Sequence, residues 1–134
     1  MNYEMNNWNF VTEAESLEIE DIVRFDHNDR TFCIYLLEDG FYTTDGLCTH
    51  ESVHLEDGLI IDGEIECPLH QGVFDIKSGK AVSPPPCDNL KTYSTKVDDG
   101  KVCIEIIYIF SAISKNFSNS LSSIGTVILG SLKF

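Results

Sequence analysis

The chain has 134 residues, of which 43% are hydrophobic, and this length fits one domain with one core. It carries 22 acidic and nine basic residues, a formal net charge of −13. Nucleic acids and anionic membrane surfaces are also negative, so this charge favours a basic protein surface as the partner. The first basic residue is Arg24, and no secretory signal precedes it. We therefore expect a cytoplasmic protein that binds neither nucleic acid nor membrane.

Short runs of β-branched and aromatic residues, separated by Asp-Gly pairs, dominate the first 105 residues. Asp-Gly pairs favour tight turns between adjacent strands, and apolar residues alternate in several of the runs. No run with a helical period longer than about 12 residues occurs there. The pattern predicts an all-β fold with these strands: Trp8–Thr12, Ile22–His27, Thr31–Glu38, Phe41–Thr44, Leu59–Asp62, Glu64–Cys67, Lys91–Val97 and Lys101–Ile107.

The composition changes abruptly at Glu105. Residues 1–105 contain all 22 acidic residues and seven basic ones, a net charge of −15, whereas residues 106–134 carry +2 and seven serines. We predict a folded domain over residues 1–107, followed by a C-terminal extension of irregular structure over residues 108–134.

Two predicted loops, Asp45–Glu56 and Pro68–Pro86, hold a paired cysteine and histidine motif. Cys48 and His50 form C-x-H, and Cys67 and His70 form C-x-x-H after 16 intervening residues. Structural zinc sites usually take two cysteines from one element and two histidines from another. A loop that offers one thiolate and one imidazole is instead typical of a [2Fe-2S] cluster with two cysteines on one iron and two histidines on the other. These four residues are the candidate ligands.

With these motifs the sequence resembles the Rieske family, and most closely the small Rieske-type ferredoxins that supply electrons to ring-hydroxylating dioxygenases. The resemblance covers residues 8–107. It implies an antiparallel β-sandwich with an inserted cluster-binding subdomain at about residues 45–86, and one Rieske-type [2Fe-2S] cluster. The matching segments are Asp45-Gly46-Leu47, Glu64 through Gly72, Phe74-Asp75, Ser78 through Ala81, and Pro84-Pro85-Pro86, which would be a third loop over the cluster.

The sequence departs from the high-potential Rieske proteins of respiratory chains at four positions. Those relatives carry a disulfide between the ligand loops, where this chain has Val53 and Leu69. They also carry a serine and a tyrosine hydroxyl near the sulfur atoms, where this chain has Gly72 and Phe74. Hydrogen bonds to sulfur stabilise the reduced cluster, so we expect a potential near the low end of the Rieske range, about −150 mV.

The resemblance implies a one-electron carrier rather than an enzyme. Its partners would be an NAD(P)H-dependent flavoprotein or iron-sulfur reductase and a terminal oxygenase. An oxygenase would need two more histidines and a carboxylate on a further domain, and only His27 and His54 are spare. The alternative is a small Rieske-like subunit of an assimilatory nitrite reductase or another oxidoreductase complex.

The residues outside the motif have simpler predicted roles. We expect Cys33 and Cys103 to pack in the core as small hydrophobic residues. His27 should be exposed, and His54 should be solvated or packed within its loop.

Overall fold

The computed structural model describes residues 2–69, 72–83 and 88–111, with side chains for 7–69, 72–83 and 88–107. The described residues of Trp8–Glu105 form one compact unit, and those of Met1–Asn7 and Ile106–Phe134 belong to a second. The strands are β1 Asn2–Glu13, β2 Ile22–His27, β3 Arg30–Leu37, β4 Gly40–Asp45, β5 Leu59–Ile61, β6 Glu64–Glu66, β7 Val73–Asp75, β8 Ala81–Ser83, β9 Thr92–Tyr93, β10 Thr95–Asp98 and β11 Lys101–Ser111. Two 3₁₀ turns, Ala14–Ser16 and Leu55–Asp57, are the helical elements of the described part.

The strands form three sheets, so the predicted all-β fold is confirmed. Their strand orders are β1-β11-β10, β2-β3-β4-β9 and β5-β6-β7-β8. The pairs whose register is described are antiparallel. The third sheet, β5-β6-β7-β8, is called the small sheet below, and it carries the second cysteine loop between β6 and β7.

Tight turns of local origin connect three of the antiparallel pairs. Asn28–Asp29 joins β2 to β3, Asp62–Gly63 joins β5 to β6, and Asp99–Gly100 joins β10 to β11, and all six residues have positive φ. Two consecutive residues with positive φ are characteristic of the type I′ hairpin, whose twist matches that of the flanking strands. The sequence predicted strand connections at both of these Asp-Gly pairs.

One hydrophobic core lies between a face of β3 and the small sheet. Alternate residues of β3 enter it, and Ile65 and Phe74 meet them from β6 and β7 with no exposed surface. Burial of one such side chain is worth about 1.5–3 kcal/mol. The cluster consists of Cys33, Tyr35, Leu37, Cys48, Leu55, Ile60, Ile65, Cys67, Phe74, Ile76 and Leu90. Both candidate cysteine ligands are therefore part of this core.

Several strands differ from their predicted bounds. The single strand predicted over Lys91–Val97 is wrong, because β9 pairs with β4 whereas β10 pairs with β11. The chain changes sheets at Ser94, and Thr95 remains bonded to the sheet it leaves through a 2.7 Å contact between its hydroxyl and that of Thr43. The short strands β7 and β8 lie within the segment predicted as an irregular loop.

The ends of the described chain are more regular than the sequence indicated. Strand β1 begins at Asn2 rather than Trp8, and β11 continues to Ser111 rather than ending at Ile107. The predicted extension beyond Ser111 lies outside the described residues. Among the residues that the structure describes, no helix is long and apolar enough to cross a membrane.

Candidate metal centre

The first cysteine loop leaves β4 at Asp45 and passes very close to β3. The amide of Gly46 donates a hydrogen bond to the Thr31 carbonyl at 2.8 Å, and the amide of Leu55 donates to the Gly46 carbonyl at 2.9 Å. A side chain at position 46 would place its Cβ 2.6 Å from the Thr31 methyl carbon. Glycine therefore suits this close crossing, and the two hydrogen bonds hold the start of the loop to β3 and the end of the loop to its start.

Within this loop the backbone folds back so that the cysteine points inward. The amide of Cys48 donates to the Val53 carbonyl at 2.9 Å, and Leu47 and His54 form an antiparallel bridge. Cys48 is consequently buried, whereas His50, two residues further along, is exposed. The C-x-H motif thus directs a thiol to the core and an imidazole to the surface.

The second cysteine loop begins directly after β6. The amide of Cys67 donates to the Gly72 carbonyl at 2.7 Å and closes the loop, whose Pro68 and Leu69 are exposed. Its candidate ligand His70 and the neighbouring Gln71 lie outside the described residues. Like the first loop, this loop buries the cysteine at its start.

The two loops bring their cysteines together. Cys48 and Cys67 are 4% and 2% exposed, and the four described cysteines, Cys33, Cys48, Cys67 and Cys103, are all free. Burial raises the pKa of the Cys67 thiol, a hydrogen bond with the Cys48 side chain raises it further, and the Leu69 backbone opposes both. A metal bound between these two neighbouring sulfur atoms would hold them as thiolates.

His50 is the third candidate ligand that can be placed. It lies beside Glu51, with 3.9 Å between its Nε2 and a Glu51 carboxylate oxygen. In the described ranges 2–69, 72–83 and 88–111, no three metal-ligating side chains are grouped closely enough to hold an ion. The predicted set of four ligands therefore stays a prediction, with its two cysteines adjacent.

Two polar networks around the first loop were not predicted. Thr49, between the two candidate ligands of that loop, donates its hydroxyl hydrogen to the Asp88 carbonyl at 2.7 Å. At the base of the loop, Arg30 donates to the Tyr93 hydroxyl at 2.8 Å, and this hydroxyl donates to the Asp45 carboxylate at 2.6 Å. Burial, followed by the adjacent Asp45 carboxylate, raises the pKa of Tyr93 to about 12.

The cysteines and histidines outside the motif have mixed outcomes. Cys33 packs in the core as predicted, and burial raises its pKa to about 12, so this thiol is unreactive near neutral pH. The prediction for Cys103 is wrong: it is half-buried, outside the core, with its sulfur 3.9 Å from the Lys101 carbonyl oxygen.

His27 and His54, the two histidines outside the motif, are both half-buried. His27 is half-buried and stacks on the Phe25 ring with 5.9 Å between centroids, so its predicted exposure is wrong. His54 is packed in its loop, and its Nδ1 is buried without a hydrogen-bond partner in the described part of the chain.

The donor chemistry agrees with an iron-sulfur centre. Two adjacent buried thiols provide one pair of soft ligands, and an imidazole follows one of them on the same loop near the surface. The fold and the site together define a small all-β domain whose two loops each bury a cysteine and whose first loop exposes a histidine. This is the class to which Rieske-type domains belong.

Comparison with known proteins specifies the family. The Rieske [2Fe-2S] domain pattern matches residues 7–94. The ferredoxin component of a naphthalene 1,2-dioxygenase system from Pseudomonas putida is 39% identical over 101 residues, covering 72% of this chain and 97% of that protein. This chain belongs to the Rieske [2Fe-2S] domain family.

Solved structures agree with this assignment. The Sphingomonas yanoikuyae B1 ferredoxin superposes with a TM-score of 0.70 at 33% identity, covering 75% of this chain and 99% of that one. A chain in a complex of reduced oxygenase and oxidized ferredoxin of carbazole 1,9a-dioxygenase also has a TM-score of 0.70, at 30% identity, covering 72% of this chain and 91% of its own length. The predicted Rieske fold and its one Rieske-type cluster are thereby confirmed.

Proposed function

We propose that this chain is a one-electron carrier between an NAD(P)H-dependent reductase, either a flavoprotein or an iron-sulfur protein, and a terminal Rieske oxygenase. Its relatives are ferredoxin components of dioxygenase systems, which are electron-transfer parts of those systems. The observation that supports the proposal is the meeting of Cys48 and Cys67 from two separate loops, the first of which exposes His50 two residues after its cysteine. The acidic charge of this chain would attract its reductase and oxygenase if their docking surfaces are basic.

The proposed ligands are Cys48 and Cys67 for one iron and His50 and His70 for the other. When bound, the cluster supplies reversible one-electron chemistry. Cys48 and Cys67 keep the sulfur side out of water because they are part of the hydrophobic core. His50 lies at the surface, where a partner can approach, so this side of the centre is the proposed site of electron exchange.

The ligand assignment is tested with Cys48→Ser, His50→Ala, Cys67→Ser and His70→Ala. We expect each variant to lose the iron content and the electron paramagnetic resonance signal of the reduced wild-type protein, because each leaves an iron with one protein ligand. Cys103→Ser and His27→Ala are the matched controls, since they remove the same side chains from positions outside the loops. Normal iron in any of the four variants, or its loss in both controls, would contradict the assignment.

The surroundings of the carrier follow from the same proposal. Reduction by an NAD(P)H-dependent enzyme places the protein in the cytoplasm, where the free cysteines of the described residues remain reduced. The Rieske pattern matches residues 7–94, so we expect the residues after β11 to be dispensable. A chain that ends at Ser111 should keep the visible absorption and the electron-transfer rate of the full chain, and loss of either would contradict this boundary.

A further inference from the structure

The segment Asp88–Tyr93, here named the strap, is bonded to both sides of the ligand region. On one side, the Thr49 hydroxyl donates to the Asp88 carbonyl at 2.7 Å, and the Asp45 amide donates to the Lys91 carbonyl at 2.9 Å. Its other side meets the β7–β8 hairpin: the Leu90 amide donates to the Gly79 carbonyl at 2.7 Å, and the Ala81 amide donates to the Asn89 side-chain oxygen at 2.9 Å.

These bonds connect the two cysteine loops through the strap. Thr49 lies between Cys48 and His50, whereas β7 begins directly after Gly72, where the second loop closes. Leu90, in the middle of the strap, is 3% exposed and packs in the same core cluster as both cysteines. Because the described cysteines are free, no disulfide joins the loops within the described residues, and the strap provides the connection.

The strap has two kinds of anchor. The bonds at Leu90 and Lys91 are between backbone groups, so they do not depend on side-chain identity. The bonds at Asp88 and Asn89 involve side chains. The Thr49 hydroxyl donates to the Asp88 carbonyl, and the Asn89 side-chain oxygen accepts from the Ala81 amide. Both residues lie on the surface side, where no apolar burial holds the backbone: Asp88 and Asn89 are exposed.

We propose that the strap is a noncovalent tie that keeps the two cysteine loops closed, and that Thr49 and Asn89 are its positioning residues. This inference rests on the proposed cluster and goes beyond it, because neither side chain is a ligand. Iron can leave the centre only when the loops separate, and separation must break a bond at one end of the tie. Removing either side-chain anchor should therefore speed iron loss without changing the set of ligands.

The test measures iron release from the full-length, cluster-loaded protein to a coloured chelator. We expect Thr49→Val and Asn89→Ala to release iron about three- to tenfold faster than wild type, the range for one lost hydrogen bond. Thr49→Ser, which keeps the hydroxyl, should restore the slow rate. Ser16→Ala is the matched control, since it removes a hydroxyl that donates to a backbone carbonyl at the same 2.7 Å, on an exposed turn.

The double variant separates a tie from two unrelated local bonds. If one tie is broken by either substitution, Thr49→Val with Asn89→Ala releases iron no faster than the faster single variant. Rates that multiply, or single variants as slow as Ser16→Ala, would overturn the inference. If a variant purifies without cluster, hydrogen exchange at the Leu90 amide replaces iron release, and exchange equal to that of Ser16→Ala would overturn it. A wild-type protein without the cluster signal would instead refute the proposed function itself.

Discussion

Replacement of Tyr93 by phenylalanine tests the network that holds the base of the first loop. The phenol hydroxyl accepts a hydrogen bond from Arg30 and donates one to Asp45, at 2.8 and 2.6 Å. The ring itself packs edge-on against Phe32 with 5.0 Å between centroids, and phenylalanine keeps this contact. The substitution therefore removes two hydrogen bonds to charged partners and little else.

The magnitude follows from these two bonds. Hydrogen bonds to charged groups contribute about 1.5–3 kcal/mol each, but Tyr93 is only half-buried, so water replaces part of what is lost. We expect the free energy of unfolding to fall by about 2 kcal/mol at pH 7, measured by urea unfolding of the iron-free chain. Tyr42→Phe is the control, because its hydroxyl bonds to Asp39, which is exposed and already paired with Lys77.

The same substitution has a pH dependence of defined sign. The pKa of Tyr93 is about 12 in the folded protein, mainly because of burial, and an unfolded tyrosine titrates near 10. The stability that Tyr93 provides is therefore complete below about pH 10 and is lost as the pH rises toward 12. The wild-type protein and Tyr93→Phe should converge in stability over this interval. A difference at pH 7 no larger than that of Tyr42→Phe, or one that persists at pH 12, would refute the reasoning.

Three further predictions concern the potential, the core and the partners. Phe74→Tyr should raise the midpoint potential by roughly 40 mV, the equivalent of a hydrogen bond of about 1 kcal/mol to sulfur, and voltammetry without a positive shift would show that the hydroxyl does not reach sulfur. Gly79→Ala should destabilise the fold by more than about 2 kcal/mol in urea unfolding, since Gly79 has φ +77° and the added Cβ would lie 2.2 Å from the Leu90 carbonyl oxygen. Gly100→Ala is the control for backbone strain alone, because Gly100 also has positive φ but has open space around it. Electron transfer to the partners should slow as salt shortens the Debye length below about 8–10 Å, because residues 1–105 carry −15, and rates independent of salt would indicate apolar docking.

Local signals explain which parts of the fold could be predicted from the sequence. Alternation in β2 and β11 and the Asp-Gly pairs at 62–63 and 99–100 act over a few residues, so the sequence pattern is sufficient. The division of Lys91–Val97 into β9 and β10 depends on two different partner strands: β10 pairs with the next strand, β11, whereas β9 pairs with β4, which lies far earlier in the chain. The three-residue strands β7 and β8 are too short to show a period and exist through pairing with β6 and with each other.

The same division applies to the site. Cys48, His50, Cys67 and His70 could be proposed from spacing because few chemistries use one thiolate and one imidazole from each of two loops. Thr49, Tyr93 and Asn89 have side chains of common types, and nothing in their spacing marks them. The bonds of Thr49 to Asp88 and of Tyr93 to Asp45 join residues 39 and 48 positions apart, and Asn89 accepts from Ala81 across eight positions and an intervening strand end, so these contacts exist only in the folded chain.

An electron carrier of this kind needs a centre that is exposed on one side and held in place on the same side. The hydrophobic core can hold Cys48 and Cys67, but it cannot hold His50 or Leu69, whose exposure leaves little apolar surface to bury. Hydrogen bonds are the remaining means of fixing that side, and they act there only if their partners are themselves anchored. The strap satisfies this condition because Leu90 is buried in the core while Asp88 and Asn89 extend to the surface. It transfers the rigidity of the core to the part of the loops that a partner protein must approach.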